Sequence, residues 1–126
     1  MSTLNVSNIT DGTTTVGTSY VVNGSAKAWV MYNGDTSGGS VLDSNNISSV
    51  TDTASGIFRT NLSSSMSNSN YSSVGMSRVY HINSSANDDK TATGEEHQSF
   101  YVSGTGGQRT SYDLARNAVV YHGDLA

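Results

Sequence analysis

Asp88-Asp-Lys90 and Glu95-Glu-His97 put four carboxylates, a lysine and an imidazole within ten residues, and His81 and His122 are two more imidazoles that a fold can bring to them. Oxygen and nitrogen donors of this kind bind divalent cations. The spacing, however, is neither that of a His-Glu-x-x-His helix nor that of a calcium-binding loop. Adjacent acids separated by Thr, Ala and Gly read instead as a solvated loop, and no metal site is expected. Paired carboxylates that cleave glycosides can meet from distant strands, but one short module leaves little room for a polysaccharide cleft. Gly104-Thr-Gly-Gly-Gln108 is followed by neither Lys-Ser/Thr nor a helical pattern, so it reads as a hairpin tip and not as a phosphate loop. No Ser-His-Asp arrangement stands out, because 23 serines guarantee chance neighbours for every histidine. Neither enzymatic activity nor a cofactor is expected.

Binding is the sharper possibility. Tyr80-His81-Ile-Asn83, Phe100-Tyr101 and Gln108-Arg109 set aromatic faces beside hydrogen-bonding groups, the combination that sugar and protein ligands use. Tyr80, His81, Tyr101 and Arg109 are therefore candidate receptor contacts. The plainer reading makes them the core and rim of a sandwich.

Composition narrows the partners. A net charge of −4 and a pI near 5.0 provide no basic field to concentrate nucleic acid or anionic lipid, so neither is an expected partner. No apolar run approaches the ~18–20 residues of a membrane span, and Met1-Ser-Thr-Leu-Asn lacks the regions of a signal peptide, so a soluble product made in a cytoplasm is expected. Cysteine is absent, which removes disulfides and thiolate chemistry. Only 34% of residues are hydrophobic, while Ser, Thr, Asn and Gly (23, 14, 12 and 13) make up about half, against about 45–50% apolar in an ordinary domain. Either part of the chain is extended or neighbours complete its core. Homo-oligomerisation follows as an expectation.

The elements that must position these residues are strands. Asp11-Gly12, Asn23-Gly24, Asn33-Gly34, Gly38-Gly39 and Ser55-Gly56 are turn signals. Between them run short alternating segments, among them Leu4–Ile9, Thr13–Val22, Ala26–Asn33, Ile47–Asp52, Ile57–Leu62, Tyr71–Tyr80, Gln98–Ser103 and Ala118–His122. The only helical hint, Tyr112–Arg116, is too short to stand alone. The fold class is all-β: a small antiparallel, jelly-roll-like sandwich head over residues 23–126, with an extended N-terminal arm over residues 1–22. In the segment around Trp29, the set Ala28, Val30 and Tyr32 and the set Trp29 and Met31 are both apolar. That pattern marks a central strand covered on both sides, by another sheet or by a neighbouring subunit. Trp29, Val30, Phe58, Leu62 and Val74 are the expected core. An indole packed there makes Trp29→Ala costly, by roughly 3–5 kcal/mol.

Asn23-Gly-Ser-Ala-Lys-Ala-Trp-Val-Met-Tyr-Asn-Gly34, then Asn45-Asn-Ile-Ser-Ser-Val-Thr-Asp52, Gly56-Ile-Phe-Arg-Thr-Asn-Leu62 and Met66-Ser-Asn-Ser-Asn-Tyr-Ser-Ser-Val-Gly75, resemble in order and spacing a module of bacteriophage tail-fibre and virion structural proteins, notably of marine phages. Ala118-Val-Val-Tyr-His-Gly123 resembles that module's last strand. The resemblance covers about residues 20–75 and the final strand. It implies a virion protein, fibre-like or a decoration of tail or capsid, assembled as a trimer. Leu4-Asn-Val-Ser-Asn-Ile-Thr-Asp-Gly12 is similar to the lead-in of such proteins, which makes Leu4, Val6 and Ile9 candidate anchors to another virion protein. The chain lacks the long shaft of a fibre, which favours a small decoration or adaptor. The alternative function is a fibre tip that recognises a host-surface glycan or protein.

Overall fold

The computed structural model describes residues 5–36, 38–77, 81–84, 89–103 and 107–126, so Leu4 and Tyr80 lie outside the described residues. The arm begins as a hairpin. Asp11 accepts hydrogen bonds at Oδ1 from the Thr13 and Thr14 backbone amides (3.0 and 2.8 Å), and the resulting turn joins β1 (Asn8–Thr10) to β2 (Thr15–Gly17). The strand expected to run on to Val22 stops at Gly17, because β1 offers only three residues to pair with. The chain then winds into α1 (Thr18–Gly24), a seven-residue helix that buries nothing. No described residue before Lys27 is buried. The arm is thus a hairpin and a short helix, not an extended strand.

The head is an antiparallel sandwich of two sheets. One sheet has the order β4-β3-β11-β7, with β3 at Ala28–Asn33, β4 at Ser40–Asn45, β7 at Ser72–Ser77 and β11 at Asn117–His122. The other is built on β5 (Ile47–Ala54), β6 (Ile57–Leu62), β9 (Gly94–Ser103) and β10 (Gln108–Ser111), and β8 (His81–Ser84) also pairs with β9. Asn46 turns the chain from the first sheet into the second. It takes φ +55°, a region that asparagine tolerates. Its side chain donates to the Lys27 and Ser64 carbonyls and accepts from the Ser64 amide at 2.7 Å, tying the corner together.

Period-two alternation fills the space between the sheets. Ala28, Val30 and Tyr32 on β3 and Val119 and Tyr121 on β11 meet Val50, Phe58 and Leu62 from the opposite sheet, with Met66 and Tyr71 closing one end. The Tyr32 and Phe58 rings lie 5.3 Å apart and tilted. Gly34 belongs to this contact more than to a turn: a Cβ there would sit 2.8 Å from Phe58 Cζ, so the missing side chain makes room for the ring. Val30, Phe58 and Leu62 are core residues.

Trp29 and Val74 are not. Trp29 takes the other face of β3, where it is half-buried beside Val120, and Val74, paired with Val120 from the far side, is 62% exposed. Both point away from the sandwich because their neighbours in sequence point into it. A partly exposed indole loses less on truncation than a packed one, so the larger penalty moves to Phe58. Phe58→Ala should lower stability by about 3–5 kcal/mol in urea denaturation, and Val74→Ala by about 0.5 kcal/mol or less.

Candidate functional site

The chemistry-bearing residues gather on β9. Its pairing with β6 sets His97 opposite Phe58, Glu96 opposite Arg59 and Glu95 opposite Thr60. Glu95 and His97 therefore turn into the sandwich and are fully buried, while Glu96 faces the other way. The solvated loop expected for Glu95-Glu-His97 is instead a strand, and its alternation separates the two acids. Across the core, the Tyr121 hydroxyl lies 2.6 Å from His97 Nε2 and also contacts Thr60 Oγ1, which donates to the Glu95 carbonyl. Burial, and then the Lys90 charge, hold His97 down at about 4. The imidazole is thus neutral at pH 7, able to accept the Tyr121 proton at Nε2. Burial raises Tyr121 well above the ordinary phenol range, so its hydroxyl keeps the proton it donates.

The same strand brings in the rest of the acidic segment. Neither carboxylate oxygen of Glu95 has a hydrogen bond, and the Lys90 ammonium 3.8 Å away answers its charge. That ammonium also stands 4.3 Å over the Tyr71 ring, whose hydroxyl donates to the Thr91 and Gly94 carbonyls. Arg59 pairs with Asp89 and donates to Thr91 Oγ1. Among the described residues no group of three His, Cys, Asp or Glu is arranged to hold a metal ion. Glu95 is closed off from water, whereas Lys90, Arg59 and Asp89 reach towards the solvent side of the cluster.

The receptor-contact candidates lie farther along β9 and on the strands beside it. Ser99 is the seam at which β9 exchanges one neighbour for another: its amide donates to the Gly56 carbonyl at 2.7 Å and its own carbonyl accepts from Tyr112 at 3.1 Å. Gly56, at φ +70°, fits because a Cβ would lie 2.5 Å from the Tyr112 nitrogen. Beyond the seam, β9 and β10 form a hairpin with Val102 opposite Arg109 and Tyr101 opposite Thr110. The Arg109 guanidinium sits 4.9 Å over the buried Phe100 ring. Tyr101 meets Tyr112 edge to face, with centroids 6.2 Å apart, and Tyr112 is 52% exposed. On the other edge of β9, His81 pairs with Phe100.

The fold thus collects His81, Tyr101 and Arg109 at one end of one sheet and adds Tyr112, which sequence reasoning passed over as part of a helical hint. Its signal was parity: it falls two residues after Thr110, on the Tyr101 side of the hairpin. Arg109 lies with Val102 and Phe100 on one face of the hairpin, whereas Tyr101, Thr110 and Tyr112 share the other, so that two aromatic rings and hydroxyls make a surface that can stack on a ring or an apolar group and hydrogen-bond its edges. Val6 and Ile9 are exposed on the arm, 40% and 48% respectively. Comparison with protein-family models, with curated proteins and with solved structures finds no match to this chain.

The interior cluster makes a pH prediction. Unfolded, His97 takes up a proton near pH 6.5, whereas the folded protein resists it until about 4. Stability from this group is complete above about pH 6.5 and declines as pH falls towards 4, by about 3 kcal/mol in all. Chemical denaturation at a series of pH values should show that slope, and His97→Asn should remove it.

Proposed function

We propose that the chain is a bacteriophage virion structural protein, a homo-oligomeric fibre-like or decoration protein on tail or capsid, acting in particle assembly and surface display. The observation that carries this reading is the apolar outer face of the β4-β3-β11-β7 sheet. Met31, Val74 and Met76 are 42%, 62% and 70% exposed there, next to half-buried Trp29, Ala118 and Val120. Contiguous apolar surface of this kind belongs to interfaces, and it answers the low apolar content of the chain. The phage resemblance supports the same reading. The residues that carry it fall on β3, β5, β6, β7 and β11, the frame of the sandwich, and largely miss β8 to β10.

A second reading, a fibre tip that recognises a host-surface glycan or protein, is favoured by the Tyr101 and Tyr112 surface. The two readings divide by experiment. Antibody labelling or a reconstruction of intact phage particles should find the protein at fixed symmetry positions. Removing residues 1–24 should leave the sandwich folded, since no described residue of that segment is buried, and abolish attachment to the particle. If soluble protein competes with phage adsorption, and Tyr101→Ala with Tyr112→Ala abolishes the competition, the tip reading replaces the purely structural one.

A further inference from the structure

The outer face of the β4-β3-β11-β7 sheet carries its own complement. Cross-strand register puts Asp43, Met31, Ala118 and Met76 in one row, and Asn45, Trp29, Val120 and Val74 in the next outward row. Within the first row the two methionines stand on either side of a small residue. The result is an apolar groove over Ala118, walled by Met31 and Met76 and closed at one end by Arg116, Asn117 and Ser77. Asp43 lies on one rim and Arg116 on another. Both are exposed, and neither belongs to an ion pair among the described residues. One patch therefore holds knobs and a hole, an anion and a cation.

We infer that this face binds the same face of a second copy of the chain through a two-fold axis. Strands stand ~4.8 Å apart and rise ~3.4 Å per residue. On that grid, an axis in the plane of the face, midway between Met31 and Ala118 and inclined about 35° to the strands, sets Asp43 of one copy opposite Arg116 of the other. The same axis puts Met76 over Trp29, Val74 beside Val120, and Met31 into the groove beside Ala118. No like charges meet. Methionines suit the contact, because their flexible thioethers adapt to a groove and pack favourably on aromatic edges. A partner of a different kind would have to supply this pattern of knob, hole and charge by coincidence, whereas a second copy brings it by symmetry.

The pairing deepens the oligomeric part of the proposed function and is independent of its virion part. It also departs from the three-fold assembly that the phage resemblance implies. Sedimentation equilibrium or light scattering on the full chain, at low salt and micromolar to 100 µM concentration, should give a dimer. Asp43→Arg and Arg116→Asp should each weaken it about tenfold or more, as like charges then face each other twice per dimer. A 1:1 mixture of the two variants should restore dimers, because both contacts regain opposite charges. Met76→Glu changes a residue that is 70% exposed, so the fold should persist by circular dichroism while the dimer is lost. A monomer throughout, a trimer, or a dimer indifferent to both charge reversals would overturn the pairing. A monomeric chain found on phage particles sinks the pairing and leaves the virion reading standing. A dimer never found on particles does the reverse.

Discussion

Tyr121 is the point at which the two sheets are locked together. Its ring lies fully buried on β11, 5.8 Å from both Tyr71 and His97, and its hydroxyl reaches across to His97 and Thr60 on the opposite sheet. A buried polar group is tolerated when it is hydrogen-bonded and costly when it is not. The contact therefore specifies one relative placement of the sheets, since a slip of one residue would turn Tyr121 outward and leave His97 unpartnered inside.

From that lock follows the unusual make-up of the interior. A chain with 34% hydrophobic residues cannot fill a sandwich with aliphatic side chains alone. Thr60, Glu95, His97, Ser99 and Asn117 occupy core positions that leucine or valine would take elsewhere. Most are held by specific partners: Ser99 Oγ donates to the Tyr112 carbonyl at 2.6 Å, and Asn117 donates to the Leu114 carbonyl at 2.9 Å. Hydrogen bonds of this kind add little net stability but penalise every alternative packing. Such a core is specific in geometry.

The surface divides along the same lines. The sheet that carries Tyr121 on its inside presents apolar side chains on its outside, suited to a neighbour. The sheet that carries His97 on its inside ends in the β9 and β10 hairpin, with Tyr101 and Tyr112 on one face and Arg109 on the other. The apolar face and the aromatic hairpin thus lie on different sheets.

The amino-acid sequence by itself determined the all-β class and most strand positions, because alternation and Asn-Gly or Asp-Gly turns are local signals that survive without knowledge of the fold. It also marked both faces of the Trp29 strand as apolar, and raised the two ways to cover them. Only the tertiary structure decided which face meets the other sheet: Ala28, Val30 and Tyr32 go inward and Trp29 is left outside, because pairing register is a long-range property. The same applies to Glu95 and His97, which look like surface residues in a polar stretch and lie in the core because β6 and β11 enclose them. Val74 was read as core for its chemistry and is exposed for its parity. Tyr112 became part of a surface only when the hairpin folded Tyr101 against it. Local pattern sets what each strand can be, and the pairing of distant strands sets which way its side chains point.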